Sequence, residues 1–239
     1  MNAKTYKRRR AIAVIIIGLI ISVGILVQAN LDPPTVNQTF VKSSSQIVNS
    51  DQPLAIDSLK KLAIKGRAPK TGYSRDQFGN GWAKWLKCDT RQRILARDLT
   101  DTKLADDGCT VLFGTLNDPY TGQIIKFKRG AGTSNEVQID HVVALSDAWQ
   151  KGAQQLDSDT REALANDDLE LLAVDGKTNM GKSDGDAATW LPKNKAFRCQ
   201  YIARQIAVKI KYSLWVTGAE HDAMARVLAT CPDERLPAP

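Results

Sequence analysis

Residues 176–184 read GKTNMGKSD, and the first eight satisfy the phosphate-loop spacing G-x-x-x-x-G-K-[ST]. In such a loop, glycine-rich backbone wraps a nucleotide's phosphates while a lysine, here Lys182, reaches them. An apolar run, LELLAV at residues 169–174, lies where the preceding strand would be. The wider chain argues against a nucleotide. A phosphate-loop fold needs a parallel sheet and a later strand ending in a magnesium-holding acid, whereas everything after Ser183 reads as helix. The helix after the motif should also be long, but Gly185 and Pro192 leave room for only about two turns. No nucleotide cofactor is expected, and the letters read as a chance match.

The elements that must position these residues follow from periodicity and turn chemistry. EVQID (136–140) is expected as a strand running into HVVALSDAWQKGAQQL, which turns helical near Ser146. A helix at 159–165 precedes the LELLAV strand. Further upstream, SLKKLAI begins a helical pattern at Leu59, and RQRILARDL (91–99) reads as a short helix. TVLFGTL and QIIKFKRG read as strands around the turn signal DPYTG. AATWLP is expected as a short helix stopped by Pro192, followed by helices at 196–212 and 219–228. Trp82, Trp85, Trp149 and Trp190 are expected in the core, since large aromatics dominate burial. The fold class is α+β, with few strands, many helices and no internal repeats.

Strand with Asp140-His141, strand, then Asn179 leading into GKSD and a helix is the order of the HNH endonucleases, which the chain resembles in QIDHVVAL, LELLAV and TNMGKSD. More closely, IDHVVALSDAW, NDDLELLAVDGKTN and GKSDGDAATWLP are similar to exported HNH proteins related to the carboxy-terminal domain of GmrSD restriction endonucleases. The resemblance runs from about Tyr73 to Cys231. It implies an HNH-type ββα-metal core inside a mostly helical, disulfide-stapled domain, acting on nucleic acid, with DNA expected over RNA. His141 would take the proton of the attacking water, its unperturbed pKa being near 6.5. Asp140 and Asn179 would supply hard oxygen ligands to one divalent ion, Mg²⁺ by expectation. On an extended backbone Asp140 and His141 point opposite ways, so the chain is expected to leave strand geometry there. Lys182 would clamp a phosphate or pair with Asp184. The family's middle strand carries an Asn that holds the histidine loop; the matching position here is Asp168, with Asn166 and Glu170 near it. An Asp accepts hydrogen bonds but cannot donate the amide ones. A binding or surface-interaction domain with impaired catalysis is therefore the alternative reading. Arg75, Asp76, Asp89 and Arg91 carry no pattern that assigns them a role.

The charge of +7 is concentrated before residue 11, in Lys4, Lys7, Arg8, Arg9 and Arg10. Global charge is thus a weak sign of nucleic-acid binding. Local clustering is more pointed: Lys193, Lys195, Arg198, Arg204, Lys209 and Lys211 follow one another with no acid between them, a candidate phosphate-binding face. The basic cluster at the amino terminus precedes a continuous apolar run at 11–27. It fits a cleavable secretory peptide ending at Val27-Gln28-Ala29, and its length also suits an uncleaved anchor. Either way the remainder is expected to be exported, secreted or held at the outer face of the membrane, touching the membrane only through that segment. The expected organisation is 1–29 signal or anchor, 30–58 flexible linker and 59–233 nuclease-like domain, with oligomeric state left open. Four cysteines in an oxidising compartment argue for two disulfides. Of three possible pairings, Cys88 with Cys109 and Cys199 with Cys231 is expected, because each would staple one end of the domain.

Overall fold

The computed structural model describes residues 51–238; the expected signal segment and most of the expected linker lie outside the described residues. The chain forms α1 (Ala55–Leu59), a small hairpin of β1 (Lys84–Trp85) and β2 (Cys88–Asp89), and α2 (Thr90–Asp98). There follow β3 (Leu99–Leu104), β4 (Val111–Asn117), β5 (Ile124–Lys128), β6 (Val137–His141), α3 (Leu145–Gln150) and α4 (Ser158–Ala165). The order closes with β7 (Leu171–Asp175), α5 (Gly176–Lys182), α6 (Arg198–Lys211) and α7 (Gly218–Leu228). The fold is α+β. Helix starts are written locally: Asp89, Asp157, Asp175 and Thr217 each accept a hydrogen bond from the backbone N–H three residues on, satisfying a donor the helix itself leaves unpaired.

β3, β4 and β5 form one antiparallel sheet, and β6 pairs antiparallel with β7. Because strand side chains alternate, β7 sends Leu171 and Ala173 into a core shared with Ile94, Leu95, Leu116, Phe127 and Ile139. Leu172 and Val174 enter the second, larger core, formed with α6 and α7. Burial on both faces explains why this strand reads as a continuous apolar run. The same alternation puts Gln138 and Asp140 on one face of β6, opposite Val174 and Leu172, and His141 on the other, opposite Leu171.

Three expectations change. The helix expected from Leu59 ends there: Ala55, Ser58 and Leu59 are buried, and beyond them Ile64 is drawn out to bridge Val216. AATWLP is a turn, closed by Thr189 and Trp190 N–H groups on the Asp186 carbonyl. Trp85, expected in the core, is 74% exposed, whereas Trp149 is buried. Both expected disulfides are present, Cys88–Cys109 and Cys199–Cys231, with Cα–Cα separations of 5.5 and 6.4 Å. Each closes a loop and contributes about 2–4 kcal/mol by restricting the unfolded chain.

α6 is buried around most of its circumference, with Ile202, Ala203, Ile206, Ala207 and Val208 in the core. The acid-free basic run therefore does not form a solvated face. Lys209 is fully buried, 3.0 Å from Glu220. Lys151, also fully buried, meets Asp147 and Asp186 at 2.8 Å and Glu220 at 2.6 Å. Arg67 joins Asp147 and Asp186, so three cations balance three acids where α3, α6 and α7 meet. Such a network is costly to break, because removing one member strands a buried charge.

Candidate functional site

A polar cleft of about 530 Å³ opens at the end of β6 and is lined by Asp140, His141, Asn179 and Asp184, together with Lys70, Arg75, Trp82 and Arg91. The strand runs through His141 and the chain bends only at the two residues after it. Asp140 and His141 occupy opposite strand faces yet both border the cleft, because it wraps the strand's end. The expected departure from strand geometry thus comes just after the pair.

Asp140 is buried and its two oxygens are already held. Lys182 Nζ donates to Oδ1 at 2.9 Å, and the Tyr120 hydroxyl donates to Oδ2 at 2.5 Å. Burial raises the Asp140 pKa, a shift opposed by the Lys182 charge and the Tyr120 hydrogen bond. Tyr120 comes from the DPYTG turn, which Asp118 ties to the β7–α5 junction by accepting from Asp175 N. The tyrosine ring is seated edge-on against Trp190 and Tyr201. Lys182 is buried, donating also to the His141 carbonyl at 2.7 Å. Its charge is used to orient Asp140, which corrects both expectations for it, the phosphate clamp and the Asp184 pair. Asp184 instead meets Lys70 at 3.4 Å and Ser146 at 3.3 Å.

Asn179 and Lys182, three residues apart, share one face of α5. Asn179 Nδ2 donates to Gln138 Oε1 at 3.0 Å, which leaves its amide oxygen for a ligand. The letters that mimic a phosphate loop are thus a helix. Its first glycine has a packing reason: a Cβ on Gly176 would sit 1.9 Å from the Asn135 carbonyl oxygen.

The His141 ring lies 3.0 Å, through Nε2, from the Ala165 carbonyl oxygen. A carbonyl only accepts, so Nε2 carries the hydrogen and Nδ1 keeps the basic lone pair. Trp82 stacks on the imidazole with ring centroids 5.6 Å apart and planes 9° from parallel. Burial first, then the Arg75 charge, lowers the imidazole pKa to about 3, so His141 is neutral at pH 7. Arg75 is exposed. Arg91 is fixed by donating to the Ser134 and Val137 carbonyls.

Asp168 does not hold the histidine loop. It pairs with Arg93 at the surface. The buried residue that holds that loop is Glu170, in the turn before β7, whose Oε2 accepts from Val143 N at 3.1 Å while its carbonyl accepts from Val142 N. Burial raises the Glu170 pKa well above the ordinary value. The four cations expected to bind phosphate are not in the cleft lining. Arg204 donates to the Asp168 and Leu169 carbonyls and Arg198 to that of Pro192, while Lys193 and Lys195 are exposed elsewhere. The cations lining the cleft are Lys70, Arg75 and Arg91, none in a basic run. Of these only Arg75 lies, with Trp82, in the aromatic and glycine-rich stretch YSRDQFGNGWAKW at residues 73–85; Lys70 and Arg91 had no sequence signal.

Among the described residues no three His, Cys, Asp or Glu side chains cluster as a metal cage, and no helix is long and apolar enough to cross a membrane. The family model for the C-terminal domain of GmrSD restriction endonucleases matches residues 89–227. An uncharacterized secreted protein of Arthroderma benhamiae (strain ATCC MYA-4681 / CBS 112371) is 35% identical over 175 residues, covering 72% of this chain and 82% of that protein. No solved structure matches.

Proposed function

The chain belongs to the family of the C-terminal domain of GmrSD restriction endonucleases, and on that premise we propose that it is an exported HNH-type endonuclease hydrolysing phosphodiester bonds of nucleic acid, DNA over RNA. The observation that carries this reading is the convergence of Asp140, His141 and Asn179 on one cleft at the end of the β6–β7–α5 unit. That unit is read as the ββα-metal core. Export is supported by the basic-then-apolar amino terminus and by the relative described as secreted.

The donor set suits Mg²⁺, which is held by one or two carboxylates and its own waters rather than by a protein cage. Asp140 and the Asn179 amide oxygen would hold it. The carboxylate has about four lone-pair sites, and its two hydrogen bonds leave room for a cation. The bound ion would relieve charge on the phosphate and on the departing oxygen.

The remaining work falls to the chain. The water oxygen bonds to phosphorus, the bridging P–O bond breaks, and the water proton passes to Nδ1 of His141. The Ala165 carbonyl and the Trp82 face hold that ring in the required tautomer and orientation. Burial and the Arg75 charge weaken the imidazole as a base in the free protein, below the ordinary value expected for it, and a phosphate anion beside it would restore proton affinity by favouring the imidazolium that forms. Arg75 and Lys70 face the same space and complement the developing charge. Asp168, at the surface, gives no reason to expect impaired catalysis.

Plasmid nicking tests the reading: Mg²⁺ or Mn²⁺ should support cleavage, EDTA should stop it, and His141→Ala should abolish it with the fold retained. Absence of cleavage by the unaltered protein under every divalent ion would overturn the reading.

A further inference from the structure

The β1–β2 hairpin presents what a soluble domain normally hides. Its register pairs Lys84 with Asp89 and Trp85 with Cys88, so Leu86 and Lys87 form the tip. Leu86 is 91% exposed and Trp85 74% exposed. Leu86 also has φ 56°, a left-handed backbone that leucine disfavours. Water gains nothing from such a display, and residues held in sparsely populated backbone states concentrate where a ligand is met.

Three further features narrow the partner. Lys84 and Lys87 flank the apolar pair and are exposed. Two acids lie beside them and compete for their charge: Asp89, opposite Lys84 and capping α2, and Asp107, which interacts with the Lys87 charge and accepts from Cys109 N, Thr110 N and the Thr110 hydroxyl. The Cys88–Cys109 bridge ties the hairpin to the loop before β4 and limits its collapse. The hairpin also follows directly in the chain on Trp82, which lines the cleft and stacks on His141 two positions before Lys84. An apolar point between two cations, joined to the proposed catalytic groups, matches a polymer with stacked bases inside and phosphates outside.

We propose that the Lys84–Lys87 tip is a nucleic-acid wedge. Leu86 and Trp85 enter a base step and unstack it, Lys84 and Lys87 take the flanking phosphates, and the adjoining backbone is thereby presented to His141. Apolar side chains inserted in this way unstack duplex steps elsewhere, and aromatic side chains stack on exposed bases whatever their sequence. The wedge rests on the nuclease reading for the cleavage that comes after binding, but binding itself can be measured without cleavage.

The experiment uses the full chain in EDTA, duplexes carrying 2-aminopurine, and the double variants Trp85→Ser/Leu86→Ser and Lys84→Gln/Lys87→Gln. The unaltered protein should bind with a rise in 2-aminopurine fluorescence. The apolar variant should lose that rise and bind about tenfold more weakly. Its dependence of binding on salt should be unchanged. The lysine variant should lower the slope of log K against log salt by about two. Since all four residues are exposed, thermal midpoints should match and exclude misfolding. Equal affinity and equal fluorescence in the apolar variant would overturn the wedge, as would failure of the unaltered protein to bind duplex. Tip-dependent binding to phosphatidylglycerol vesicles or tip-dependent self-association, without tip-dependent DNA binding, would also overturn it. Adding Mg²⁺ to the same samples separates the two proposals. Binding with the fluorescence rise but no cleavage leaves the wedge and removes the nuclease. Cleavage with no effect of the apolar variant does the reverse.

Discussion

The buried, neutral His141 makes the stability of this protein depend on pH in a calculable way. Its imidazole is pushed down from 6.5 to about 3 by burial and by the Arg75 charge. Below pH 6.5 the unfolded chain binds a proton that the native state refuses, so stability is full above that pH and falls as pH drops toward 3. At pH 5 the unfolded side chain is favoured by about 1.5 pH units, or about 2 kcal/mol, and the loss approaches about 5 kcal/mol near pH 3. His141→Gln removes this titration and leaves the other acids in place. Both proteins would be unfolded in urea with disulfides intact, at about pH 7.5 and about pH 5.0. Whatever its stability at the higher pH, the variant should lose about 2 kcal/mol less than the unaltered protein on acidification. The comparison is differential, so the opposing influence of Asp140 and Glu170, whose pKa values are raised by burial, is carried by both proteins. Equal losses would show that burial and the Arg75 charge do not depress the His141 pKa in the folded protein.

Lys182→Met leaves the Asp140 carboxylate buried without its cation and should cost about 3–5 kcal/mol, read from the denaturant midpoint. A cost below about 1 kcal/mol would contradict the buried pair. Gly176→Ala forces a methyl onto the Asn135 carbonyl. It should destabilise by about 1–3 kcal/mol or more, measured by thermal unfolding, and a neutral result would refute that close approach. Asp168→Asn alters only a surface pair and should shift stability by no more than about 1 kcal/mol, with plasmid cleavage unchanged. A large loss of cleavage would return Asp168 to the site. Arg75→Ala, at an exposed position, should keep the melting temperature and lower the cleavage rate by about 10²-fold. An unaltered rate would remove Arg75 from the phosphate.

Much that depends on neighbours in sequence could be read from the chain alone, although the helices expected from Leu59 and over AATWLP do not form. The two-sided apolar run of β7, the DPYTG turn between β4 and β5, the capping acids and the α+β class all follow from periods and turn residues that act over a few positions. The order Asp140-His141 then Asn179 was legible for the same reason, being three short strings on successive elements. Partner choice was not legible. Any of several acids could have taken Lys182, and only packing put it on Asp140 with Tyr120 on the other oxygen. Glu170 rather than Asp168 came to hold the histidine loop because the turn before β7 buries Glu170 and leaves Asp168 at the surface, paired with Arg93. The basic run ending in Lys209 and Lys211 looked like a surface until α6 was enclosed on most sides, where Lys209 needed Glu220. Trp82 and Arg75 reached His141 from a distant segment with no periodic signal. Local pattern chooses the elements, and the choice of which charged or aromatic groups meet is made by three-dimensional packing, where an unpaired buried group is too costly to survive.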